Sequence, residues 1–95
     1  MPTYERLERF DRDYADLTDT EQAAFKAAVK KFVDDLERGQ GFRKGLRVKG
    51  VKGAKGVFEM TRADDGRATF SYGGSIREGE PHVVWHRVGG HEVIG

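Results

Sequence analysis

Cysteine is absent from this 95-residue chain, and no apolar run exceeds about three residues. Without cysteine there is no disulfide framework and no thiolate metal site, and a reducing compartment is expected. Runs this short exclude a membrane-spanning helix and the core of a secretory signal. A cytoplasmic location with no membrane partner is therefore expected. Repeats, low-complexity tracts and linkers are missing too, so one domain spanning 1–95 is predicted. With 37% hydrophobic and 35% charged residues, the composition is that of a soluble globular domain and not a disordered one.

A net excess of charge is also lacking, since 17 Lys/Arg stand against 16 Asp/Glu. The distribution is far less even. Residues 1–37 hold six Lys/Arg and ten Asp/Glu, residues 38–56 hold seven Lys/Arg and no acid, and residues 57–95 hold four against six. A concentrated positive segment raises the local potential for polyanions even when the total is near zero. A solvated loop would look the same by composition alone.

Phe25, Val29, Phe32 and Leu36 recur at spacings of four, three and four, which predicts an amphipathic helix over 21–37. Thr18 and Glu21 have capping-box spacing, and Gly39 stands where a left-handed helix end favours glycine. Upstream, Phe10, Tyr14 and Leu17 keep helical spacing, and Tyr4 and Leu7 extend it back. Residues 4–9 fit a short strand as well. Six glycines then fall between 39 and 56 and mark turns. Leu46 and Val48 alternate with Arg47 and Lys49, which predicts a short strand with one basic face. Strands are further expected at 57–62, 67–72 and 82–88. The Asp65-Gly66 pair predicts a hairpin turn with positive φ angles. Helices first and antiparallel strands after make an α+β domain.

Three features point toward RNA chemistry. Arg43, Lys44, Arg47, Lys49, Lys52 and Lys55 form a basic, glycine-studded stretch suited to a phosphate chain. Glu59 and Arg67 flank one turn. His91 follows two glycines near the end of the sequence. Cleaving RNA without a metal needs a base for the 2′-hydroxyl proton, cations for the phosphorane and an acid for the departing 5′-oxygen. Histidine serves either proton role near neutrality. Plainer readings stay open: Glu59 paired with Arg67 across the hairpin, His91 capping the last strand, Trp85 in the core. A zinc site on His82, His86 and His91 is excluded, because positions 82 and 86 of a strand lie about 13 Å apart. No dinucleotide fingerprint or P-loop is present, and no cofactor or metal is expected.

The runs GLRVKGVKGAKGVFEMTRADDGRATFSYG and PHVVWHRVGGHEVI resemble the RelE/ParE superfamily of toxins from type II toxin–antitoxin pairs, and the likeness extends back to ERFDRDYADLT. It implies a RelE-like small domain in which an N-terminal strand and two helices pack on a curved antiparallel sheet. For residues 4–9 it favours strand. It also implies a metal-independent endoribonuclease that cuts mRNA, typically on the ribosome, and a cognate antitoxin as partner. The protein would then be a monomer or part of a toxin–antitoxin hetero-oligomer. Lys49 and Lys52 match the family's basic positions near the RNA backbone. Glu59 matches a strand glutamate, Arg67 a charge-stabilising arginine, His91 a C-terminal acid–base histidine, and Arg87 the second arginine of a WRRIG run. Arg62 stands where the family pattern has tryptophan, His86 where it has arginine, and Gly90 where it has threonine. A glycine at 90 is expected to loosen the backbone of His91. Two other classes share the likeness: a ParE-like poison of DNA gyrase that leaves RNA intact, and an inactive RNA- or antitoxin-binding module.

Overall fold

In the computed structural model, which describes residues 1–62 and 66–94, the capping box forms as the sequence predicts. The Thr18 hydroxyl accepts the Glu21 N–H at 3.1 Å, and the Glu21 carboxylate accepts the Thr18 N–H at 2.8 Å. Helix α2 (Asp19–Arg38) starts there and stops at Gly39, whose φ of 66° closes it in the left-handed region. Strand β1 (Thr3–Arg6) and helix α1 (Glu8–Ala15) divide the ambiguous N-terminal stretch. Residues 4–6 are therefore strand, as the family likeness favours, and the helical spacing applies from residue 8 onward.

Strands β2 (Lys49–Gly50), β3 (Phe58–Thr61), β4 (Arg67–Gly73) and β5 (His82–Gly89) complete a sheet in the order β1-β5-β4-β3-β2. Its pairings are antiparallel except one: β1 lies parallel to β5, with Thr3 opposite His82 and Arg6 opposite Trp85. The expected antiparallel sheet is thus mixed, because the two helices carry the chain across one face before the remaining strands form.

Alternation along the strands sends Met60, Ala68, Phe70, Val83, Trp85 and Val88 to the helix side. Phe32 from α2 meets Phe70 at 4.9 Å and Trp85 at 5.3 Å between ring centroids, and Phe10 and Phe25 extend the cluster. Pairs in such tilted or edge-on contact add about 0.5–1.5 kcal/mol each beyond area burial. Trp85 belongs to the core.

One local expectation is corrected. Residues 44–46 form a 3₁₀ turn (Lys44–Leu46) that drives Leu46 into the core, and Arg47 leaves it in the left-handed region at φ 48°. Arg47 and Lys49 therefore do not share a strand face. The predicted Asp65-Gly66 turn runs through residues 63–65, which lie outside the described residues. Gly66 itself is closely packed: a Cβ there would lie 2.4 Å from the Arg62 Cγ, which crosses over it.

Arg62 ties this end of the sheet to α2. Its guanidinium reaches Glu21 at 3.4 Å and the Gly89 carbonyl at 3.3 Å, with the side chain only 6% exposed. Glu21 thus serves the helix cap and the sheet together. Hydrogen bonds from Thr18 and the charge of Arg62 outweigh desolvation and hold its carboxyl below the usual range.

Candidate active site

The face of the sheet away from the helices carries a different set of side chains. One row runs across four strands, with Lys49 opposite Glu59, Glu59 opposite Thr69 and Thr69 opposite Arg87. The next row pairs Thr61 with Arg67 and Arg67 with Gly89. A 3₁₀ turn (His91–Ile94) folds back over this face. Gly89 permits it, since a Cβ there would lie 2.9 Å from a Val93 methyl.

The turn brings His91 to Arg67, with Arg67 Nη2 3.3 Å from His91 Nε2. A guanidinium has only donors, so the imidazole accepts at Nε2 and carries its proton on Nδ1. Arg67 also donates to the Gly66 carbonyl at 3.0 Å. Gly90, expected to loosen this histidine, is held instead: its N–H donates to the Glu92 carboxylate at 3.0 Å. That hydrogen bond is the first cause of the lowered Glu92 pKa.

Glu59 is not the partner of Arg67 across the hairpin. It faces Thr69 and lies under Lys49, whose Nζ is 3.8 Å from its carboxylate. Glu59 is buried and Lys49 exposed, so the row offers a cation at the surface and a carboxylate below it.

Lys52 and Lys55 project from the loop between β2 and β3. Val51-Lys52-Gly53-Ala54 and Ala54-Lys55-Gly56-Val57 are successive turns, closed by hydrogen bonds of 3.2 and 3.1 Å. The φ angles of Gly53 and Gly56, 83° and 80°, are those a type II turn requires at its third position. Each lysine occupies the same place in its turn, and both are exposed.

Arg43 and Arg87 have other work. Arg43 grips the buried Asp35 of α2 through Nε at 2.9 Å and Nη2 at 2.8 Å, and its backbone N–H donates to the same carboxylate. Those bonds hold the Asp35 carboxyl far below the ordinary aspartate range. This arginine fastens the chain after α2, and Lys44 lies exposed in the adjoining turn. Arg87 forks onto Asp13 of α1 with two contacts of 3.0 Å, and Asp13 also accepts the Val88 N–H. Burial acts to raise the Asp13 carboxyl, and Arg87 and Val88 more than offset it.

One feature escaped the sequence reading. Thr69 faces Arg87 and Phe70 faces Trp85, so His86 is an extra residue in β5. This bulge brings His86 to the open face beside Arg87, with Nε2 2.7 Å from the Ser71 hydroxyl. Its signal in the sequence was the histidine in place of the family's arginine. His82 is bound to Thr3 and Glu5 at 2.8 and 2.9 Å, so the three histidines have separate partners. Among the described residues no group of three or more metal-ligating side chains occurs.

No family model matches the chain, and no curated protein matches it. Solved structures do. A copper-bound mutant toxin from Helicobacter pylori aligns over the whole of both chains with a TM-score of 0.66 at 13% identity. The Escherichia coli DinJ–YafQ toxin–antitoxin complex covers 97% of this chain and 94% of its own, with a TM-score of 0.64 at 12% identity. A YoeB/ParE toxin from Agrobacterium tumefaciens covers 94% and 98%, with a TM-score of 0.66 at 13% identity. The chain shares the fold of these toxins. At these identities the likeness is one of backbone, and the toxin fold here carries its own set of side chains. No helix among the described residues is long and apolar enough to cross a membrane.

Proposed function

We propose that this chain is the toxin of a toxin–antitoxin pair and cleaves messenger RNA, engaged on the ribosome, by a metal-independent attack of the ribose 2′-hydroxyl. The observation that carries the reading is the contact of Arg67 with His91 on the open face of the sheet, 3.3 Å apart. It joins a cation and a proton-transfer group at one point, on the sheet face whose neighbouring row carries Lys49. The toxin fold supports the same reading.

The chemistry follows from these groups. A backbone phosphate competes for the Arg67 guanidinium and frees Nε2 of His91. The imidazole then takes the 2′-hydroxyl proton as the O2′–P bond forms. Arg67 and Lys49 stabilise the charge that gathers on the phosphorane oxygens. Cleavage of the P–O5′ bond needs a proton on the leaving oxygen, supplied by the imidazolium or a loop lysine. Products are a 2′,3′-cyclic phosphate and a 5′-hydroxyl. Glu59 holds Lys49 in place from beneath. Arg47, Lys52, Lys55 and Lys44 add unspecific attraction for the RNA backbone. Arg43 and Arg87 are excluded from that group by their carboxylate partners.

The test is induction in cells followed by mapping of transcript 5′ ends, with His91→Ala alongside. Discrete new ends that vanish in the variant support the reading. Intact RNA with altered plasmid supercoiling would replace it with a gyrase poison. Intact RNA and unaltered DNA would leave a binding module. A neighbouring reading frame whose product co-purifies with this chain and relieves growth arrest identifies the antitoxin.

A further inference from the structure

A groove of about 340 Å³ lies beside the Arg67–His91 pair, between the lysine-bearing loop and the C-terminal turn. That volume is within the range of about 300–1,000 Å³ found for small-ligand sites. Its walls are apolar, with Val51 and Val57 from the loop and Val93 from the turn, and Thr69 lies on its floor.

Two polar groups in it are unclaimed. His86 uses Nε2 on Ser71, and its Nδ1 has no partner among the described residues. The Thr69 hydroxyl makes no hydrogen bond among the described residues either. Two cations border the groove: Arg87, already matched by Asp13, and the exposed Arg9 of α1 at its rim. The valine walls and the unclaimed polar groups of His86 and Thr69 lie inside the slot, with the exposed arginine at its edge. Such a slot suits a flat heterocycle with an apolar face and a polar rim.

Position points to which heterocycle. Along β4, Thr69 is one same-face step from Arg67, about 7 Å, and Ser71 is two, about 13 Å. A ribonucleotide linkage seated at Arg67 and His91 therefore has its neighbouring base over the groove. We propose that the groove is a base-reading subsite for the nucleotide flanking the cleaved linkage, with His86, oriented by Ser71, setting the preference. The place of the cut rests on the ribonuclease reading above, whereas the base recognition rests on the groove alone.

The test uses short oligoribonucleotides that differ in one flanking base. Cleavage is measured on the all-ribose series, and binding on a series with 2′-deoxyribose at the cleaved position. The native chain should favour one base over the others in both assays. In His86→Ala that preference falls about five-fold, the effect of one lost hydrogen bond, mostly through KM. His86→Gln, which keeps a donor and an acceptor, should still discriminate but rank the bases differently. A purely structural role would not change the ranking. Equal treatment of all four bases by the native chain, or a native profile in His86→Ala, overturns the subsite. If the native chain cuts no RNA, the ribonuclease reading fails by itself. Binding to the deoxy series then decides, because a base preference that depends on His86 sustains the subsite and its absence overturns it.

Discussion

Phe70 and Thr69 are adjacent on β4, both are buried, and they face opposite sides of one sheet. On the helix side Phe70 meets Phe32, Trp85 and Phe58 in ring contact. On the open side Thr69 sits in a row of charged residues, between Glu59 with its exposed lysine and Arg87. Strand alternation assigns cohesion to one side and chemistry to the other. The bulge at His86 is the local exception, and it adds a polar group to the open side without removing a ring from the core.

The sharpest way to break this division is to cut back the open side. His91→Ala and Arg67→Ala should each lower RNA cleavage by about 10²–10⁴-fold, the usual share of a positioned acid–base or charge-stabilising group. Thermal unfolding should stay at the native temperature, and a fall in step with activity would refute the assignment. The converse change is Phe70→Ala, which should cost about 3–5 kcal/mol of stability by the cavity it leaves. Urea denaturation should then show an earlier midpoint at an unchanged slope.

Charge on the helix side is structural, and acid should reveal it. The Asp35 carboxyl is held down by Arg43, first through the side-chain hydrogen bond. A depressed carboxyl contributes stability that is fully present above its unfolded value, near 3.8, and is lost as pH falls below it. Asp35→Asn should be less stable than the native chain at pH 7, with the gap narrowing toward pH 2 in melting curves. A gap that does not narrow would show the ion pair to be without effect. The smallest expected effect belongs to the loop: replacing both Lys52 and Lys55 by alanine should reduce the salt dependence of RNA binding by a slope of about 1.4. Titrations at several ionic strengths would detect it, and an unchanged slope would place those lysines outside the RNA path.

Much of this was legible in order along the chain. Helix α2 could be read in full, because its cap, its apolar stripe and its stop are all local. The repeated Lys-Gly step at 52–53 and 55–56 likewise encodes two turns by local chemistry. What could not be read depends on residues far apart. Asp35 with Arg43, Asp13 with Arg87, and Glu21 with Arg62 are contacts between elements, and composition marks these arginines only as basic. The bulge at His86 follows from register between β4 and β5, and alternation alone predicts an unbroken strand there. The strand at β1 came from family likeness and not from spacing, since four residues are too few to separate strand from helix. Its parallel pairing with β5 was foreseen by neither. Arg47 in the left-handed region had no sequence signal.

Gly89 has a consequence for how such a protein can be silenced. The seat of His91 depends on that residue having nothing but hydrogen where other amino acids carry carbon. On the toxin reading, cells that survive forced expression should harbour replacements at codon 89 as well as at 67 and 91. Those at 89 would leave every reactive side chain in the sequence intact. They would yield a folded and harmless protein, disarmed by the displacement of a single turn.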